Sequence, residues 1–136
     1  MVHGESFRLF GVLHSVKNSP LERKLQRLKN PTPKNIQRCY NEFYKEQARA
    51  YIPSRVSYFA HKMNIEFKNI TYRKMKRRWG SCSCEGTLTF NINLMQKEAR
   101  FIDEVIVHEL AHRIHFNHSK AFHRLVKSVL EKHFNF

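Results

Sequence analysis

Acidic residues are scarce in this chain: eleven Asp and Glu face 25 Lys and Arg among 136 residues, a formal net charge of +14 at pH 7. Such an imbalance excludes an acidic solvating segment and draws polyanions toward the surface. Glycine and proline, four of each, are too few for a collagen-like or low-complexity chain. The three cysteines, Cys39, Cys82 and Cys84, are an odd number at spacings that fit neither a disulfide framework nor a four-cysteine zinc site. The usage suits a reducing compartment. No apolar run approaches the roughly 20 residues that span a bilayer. The opening MVHGESFRLFGVLHS sets a Glu and two His where a secretory signal needs a basic start and an unbroken apolar centre. These absences predict a cytoplasmic chain with no membrane partner.

What is present fits a soluble globular domain. Hydrophobic residues make up 41% and charged residues 26%, enough apolar material for a core, and the length predicts a single domain over 1–136. Its positive charge is spread: residues 1–64 hold twelve basic against four acidic residues, or +8, and residues 65–136 hold thirteen against seven, or +6. One dense run, RKMKRR from Arg73 to Arg78, is either a solvated face or an anion-contacting surface.

Periodicity predicts a mainly helical lead-in over 1–64. SFRLFGVLHSV supplies a short strand or two, and Leu21, Leu25 and Leu28 recur at helical spacing. Thr32 followed by Pro33 starts a helix, because Thr accepts from exposed backbone donors and Pro loses nothing at the first position. That helix should run to about Tyr51, and Pro53 should begin another reaching Met63. From Ile65 the pattern alternates, as in a half-buried strand, and it does so again from Thr87 through TLTFNINLM. KRRWGSCSCEG between them reads as a long loop. EARFIDEVIVHELAHRIHF reads as a helix of about 20 residues, and Ser119 caps a last helix with Phe122, Leu125, Val126, Val129 and Leu130 as its buried stripe. Cys82 and Cys84 are a weak metal signal against the plainer reading of small residues in a turn.

His108, Glu109 and His112 form HELAH within the longer helix of this half. Residues four apart lie one turn apart on one face, so two imidazoles can address one cation while Glu109 stands beside them to take a proton from water. With nine His in the chain the bare pattern is not decisive. His118, six residues on, follows Phe116 and Asn117, where the chain can reverse, and a third imidazole there would leave a fourth position open, as in catalytic sites. His115 sits too near His112 to join without crowding, so His118 is preferred as ligand. His123, on the next helix, is a surface residue or a further neighbour of the site.

Across about residues 70–125, through RKMKRRWGSC, TLTFNINL and VIVHELAHRIHFNHSKAF, the sequence resembles the YgjP-like metallopeptidase domain proteins, which are small zincin relatives. The resemblance implies a compact α+β zincin-like fold in which a small β-sheet packs beside the helix carrying HELAH. It also implies zinc at His108, His112 and His118, one Zn2+ per chain, and Glu109 as catalytic base. By analogy with zincins, Thr87 to Leu94 would be the edge along which an extended substrate pairs. The chain departs from the usual pattern at His123, where family members carry Trp, and at Cys84, where Ser is common. Arg78, Trp79 and Ser81 fall in the second motif as candidate substrate contacts: Arg78 could hold a carboxylate, a phosphate oxygen or a forming oxyanion, and Trp79 either contacts substrate or simply packs under its loop, with Gly80 permitting the turn.

Three functions are therefore expected in order. The first is a zinc-dependent peptidase using activated water, with another divalent transition metal as the alternative to zinc. The second keeps the metal and takes a nucleotide phosphoanhydride, on the strength of the basic run. The third is a DNA-associated protease of the SprT-like kind, or a protein whose basic surface binds nucleic acid weakly. The oligomeric state is not legible.

Overall fold

A computed structural model describes residues 5–134; residues 1–4, the first part of the opening MVHGESFRLFGVLHS, lie outside the described residues, as do 135–136. Strands β1 (Ser6–Leu9) and β2 (Val12–Ser15) form an antiparallel hairpin. Its Phe10-Gly11 turn has both residues at positive φ, and Phe10 and Gly11 donate their N–H groups to the carbonyls of Met95 and Gln96 at 2.9 and 3.0 Å. Helix α1 (Pro20–Gln26) buries Leu21 and Leu25 and is capped by Ser19, whose side chain accepts from the Glu22 N–H.

Helix α2 (Pro33–Met63) is one element of 31 residues, where the sequence predicts two. Thr32 caps it as expected, accepting from the Asn35 N–H, and Asn64 ends it in the left-handed conformation. Pro53 lies inside. Its missing N–H leaves the Arg49 carbonyl without a helical donor, a defect of about 3 kcal/mol. Burial of Ile52, Val56 and Phe59 on either side of it, each contributing about 1.5–3 kcal/mol, outweighs that local preference.

The sheet has order β3-β5-β4, with β3 (Asn69–Arg73) parallel and β4 (Gly80–Cys82) antiparallel to β5 (Thr87–Asn91). This corrects two expectations. Part of the predicted loop KRRWGSCSCEG is strand β4, and the segment predicted to be an edge is central: Thr87–Asn91 pairs on both sides. Beyond it, Ile92–Gln96 is a 3-10 turn and not further strand. The edge facing the motif helix is β4, which pairs only with β5 among the described residues.

Helix α3 (Ala99–Ala111) has 13 residues, shorter than predicted. After Ala111 the chain tightens: the Arg113 and Ile114 N–H groups reach carbonyls three residues back and the His115 N–H closes the last turn on the Ala111 carbonyl at 2.9 Å, beyond which the helix does not continue. Helix α4 (Lys120–Phe134) then begins at Ser119, whose hydroxyl accepts from the Phe122 N–H at 3.2 Å. Of its predicted stripe only Phe122 is fully buried; Leu125, Val126, Val129 and Leu130 are half-buried. One hydrophobic core runs from Phe7 through α1 and α2 to β5 and α3. Arg55 on α2 makes two hydrogen bonds to buried Asp103 on α3, at 3.0 and 2.7 Å, and His133 on α4 lies 3.6 Å from the same carboxylate. Three helices are thereby fastened upstream of HELAH.

Candidate metal centre

The end of α3, the following turn and the start of α4 bring His108, His112 and His118 together, with one ring nitrogen of each inside a 4.8 Å cluster. The Nε2 atoms of His108 and His118 are 3.3 Å apart. Two imidazole nitrogens each about 2.05 Å from a tetrahedral Zn2+ would be separated by about 3.3 Å, so the spacing fits that ion. His112 donates from Nδ1 to the His115 carbonyl at 3.1 Å, which leaves its Nε2 lone pair for a metal. His115 thus contributes a carbonyl that orients a neighbour, and its ring is not in the cluster.

Protonation suits the same purpose. Burial, reinforced by repulsion from the imidazoles of His112, His118 and His123, pulls the His108 pKa down to about 4, so the ring is a neutral donor at pH 7. Phe122 forms the wall behind the cluster: it stacks on His112 at 4.5 Å between centroids and meets His108 and His118 edge-on at 4.9 and 5.0 Å. The sequence marks Phe122 as apolar and buried but gives no sign that its ring holds three imidazoles. His123 stacks beside His118 at 6.2 Å, outside the cluster.

Glu109, next to His108 on α3, packs against β4 and lines the same cleft as the imidazoles. It is 6% exposed, and burial pushes its pKa up to about 7 against the opposing pull of Arg78. The close approach depends on Gly80, where a Cβ would stand 3.0 Å from Glu109 Cγ and 3.2 Å from Oε2. The cleft between β4 and α3 has a volume of about 570 Å³ and is lined by all three imidazoles, Glu109 and the predicted Arg78, Trp79 and Ser81. Trp79 meets Phe101 edge-on at 5.7 Å, as the packing reading expects, and also lines the cleft. Cys82 also lines the cleft, whereas Cys84 is exposed.

Arg113 is a residue that sequence spacing does not reveal. Immediately after His112, its guanidinium donates to the carbonyls of Glu66 and Cys84 at 3.1 and 3.0 Å, and it packs over Gly86, which holds φ +101°. The β4–β5 turn is tied in this way to the residue following a cluster imidazole.

No helix among the described residues is long and apolar enough to cross a membrane. No curated protein matches the sequence. Among solved structures, the metallopeptidase zymogen of Methanocaldococcus jannaschii jannalysin is similar: 27% identical, TM-score 0.52, covering 57% of this chain and 79% of that one. Its fold class agrees with the α+β arrangement seen here. The YgjP-like metallopeptidase domain family, whose members imply a divalent metal and peptide hydrolysis, matches residues 1–134; with its three-imidazole cluster at the end of α3, the chain belongs to that family.

Proposed function

We propose that the chain is a zinc-dependent peptidase in which His108, His112 and His118 hold the ion and Glu109 is the general base. The convergence of three imidazoles, each offering a ring nitrogen within 4.8 Å of the others, beside a buried carboxylate in an open cleft, carries the reading. Zn2+ bound there supplies Lewis acidity, which activates water and polarises a scissile carbonyl. Glu109, with a pKa raised to about 7, is poised to accept a proton from water and return it to the leaving amine. The open edge of β4 is suited to align an extended peptide through backbone hydrogen bonds, and Arg78 and Ser81 contact that peptide. Residues 1–136 form one such domain, built on the common core of its described part, and the three free thiols suit a cytoplasmic setting.

Glu109→Gln preserves the side-chain volume and removes the base. Protein purified without added metal should contain about one zinc per chain by elemental analysis in both forms, and only the wild type should cleave peptides. Full turnover by the variant refutes the mechanism.

A second reading has a specific observation behind it: a cavity of about 270 Å³ lined by Lys76, Arg77, Arg78, Trp79, Asn91 and Asn93 adjoins the cleft. Its cations suit the phosphates of a nucleotide. Phosphate or pyrophosphate release from nucleoside triphosphates, lost in Glu109→Gln, would establish it in place of peptide hydrolysis.

A further inference from the structure

The cleft and the smaller cavity meet at Arg78 and Trp79, which line both. Their charges differ. Two carboxylates, Glu104 and Glu109, line the cleft, whereas the smaller cavity has Lys76, Arg77 and Arg78 and no acidic residue. Some cations elsewhere are matched by a carboxylate, as Lys24 is by Glu46 and Arg55 by Asp103; what sets this segment apart is three cations adjacent in sequence on one cavity. Among the described residues, none of Lys76, Arg77 and Arg78 forms an ion pair.

This cationic segment is also held in place. Asn91 at the end of β5, 4% exposed, donates through Nδ2 to the carbonyls of Met75 and Arg78 at 2.9 and 2.8 Å, and its backbone N–H reaches the Trp79 carbonyl at 2.9 Å. Three hydrogen bonds from one buried residue anchor the backbone of 75–79, so the exposed side chains of Lys76, Arg77 and Arg78 project from a fixed segment beside the cavity.

Direction follows from the strand. An extended peptide lying antiparallel to β4 runs toward its carboxyl end as β4 runs back from Cys82 to Gly80. Glu109 stands against Gly80, so whatever lies beyond Gly80, toward Arg78 and Lys76, is on the carboxyl side of the bond attacked.

We infer that Lys76, Arg77 and Arg78 form a subsite for a carboxylate on the leaving half of a peptide substrate, supplied by an Asp or Glu side chain or by the peptide's own terminus. The inference rests on the peptidase reading and adds a substrate class to it: peptides that are acidic, or end, a few residues after the cleaved bond.

Quenched-fluorescent peptides test this, with one Glu or one Lys stepped through a neutral Ala/Leu sequence and with free or amidated carboxyl ends. Mass spectrometry locates each cut. Glu over Lys after the cut should raise kcat/KM about five- to tenfold, as expected for a few exposed charge contacts acting together, and the ratio should shrink as salt rises. In Lys76→Ala/Arg77→Ala the ratio should fall toward one; being internal to each variant, it is insensitive to a general loss of activity. Free against amidated ends separates a terminal carboxylate from a side chain. An unchanged ratio in the double variant, or equal rates for Glu and Lys in the wild type, overturns the subsite. The same peptides are titrated against zinc-loaded Glu109→Gln while following Trp79, the sole tryptophan. Glu-selective binding without cleavage by the wild type keeps the subsite and refutes the peptidase. Unselective binding refutes the subsite whatever is cleaved, and a nucleoside triphosphate that binds more tightly than every peptide overturns it in favour of the phosphoanhydride reading.

Discussion

Replacing Arg55 by Met strips Asp103 of two charge-assisted hydrogen bonds at 3.0 and 2.7 Å and also removes the guanidinium that lies 4.9 and 5.2 Å from the Tyr58 and Phe59 ring centroids. The carboxylate left behind is 6% exposed. Removing one member of a buried pair costs about 3–5 kcal/mol. Here the loss should fall toward the lower end, about 3 kcal/mol, because the Arg55 side chain is 25% exposed and His133 Nε2 stands 3.6 Å from the same oxygen. With a urea m-value of about 2 kcal/mol/M for a domain of this size, the midpoint should drop by about 1.5 M. The assay is urea denaturation followed by Trp79 fluorescence and far-ultraviolet circular dichroism. Arg55→Met/Asp103→Leu removes both charges and should recover most of the loss, since no uncompensated carboxylate remains. Zinc content of the folded single variant should be unchanged, because Arg55 does not line the cleft. A single-variant loss under about 1 kcal/mol, or a double variant less stable than the single, would refute the claim that this pair fastens α3 to α2.

Other outcomes follow from the same geometry. Gly80→Ala drives a methyl group to 3.0 Å from Glu109 Cγ; turnover should fall at least about tenfold with zinc retained, and loss of zinc instead would show that β4 supports the ligands directly. Phe122→Ala removes the fully buried ring against all three imidazoles and should lower stability by about 3–5 kcal/mol, with zinc affinity weakened about 10- to 100-fold in a competition titration; unchanged affinity would deny the ring its orienting role. Tyr44 is 4% exposed and burial pushes its pKa up to about 12. A folded value above the unfolded one near 10 gives stability that is complete below pH 10 and lost as pH climbs to 12, up to about 3 kcal/mol. Tyr44→Phe should lose about 1 kcal/mol at pH 8, with the Arg8 carbonyl bond gone, and show a shallower alkaline decline in denaturation midpoints; an identical decline would assign the effect elsewhere.

Much of the fold was legible because the relevant preferences are local. Thr32-Pro33 starts α2 by supplying one acceptor and omitting one donor, and the spacing of His108 and His112 requires only helical geometry. His118 needed a chain reversal after the helix, which Asn117 and Ser119 advertise. Where the reading failed, distant contacts overrode local preference. Pro53 reads as a boundary, yet α2 continues through it because buried side chains on both sides commit it to the core. Strand β4 has only three residues, Gly-Ser-Cys, with no alternation to detect, and becomes a strand by pairing with β5. Calling Thr87–Leu94 an edge required knowing that β4 existed. The bond from Arg55 to Asp103 spans 48 residues and leaves no periodic trace.

The guanidinium of Arg113 bears on how the two sides of the cleft can move. One arm of a single side chain holds the Cys84 carbonyl of the turn between β4 and β5, while its own backbone continues directly from His112. That turn is therefore bonded to the residue that follows His112, so displacing the rim that carries Ser81 strains a contact with the end of α3. Strand turn and helix end are thereby latched to one another, which opposes widening of the gap between them when a bulky guest enters.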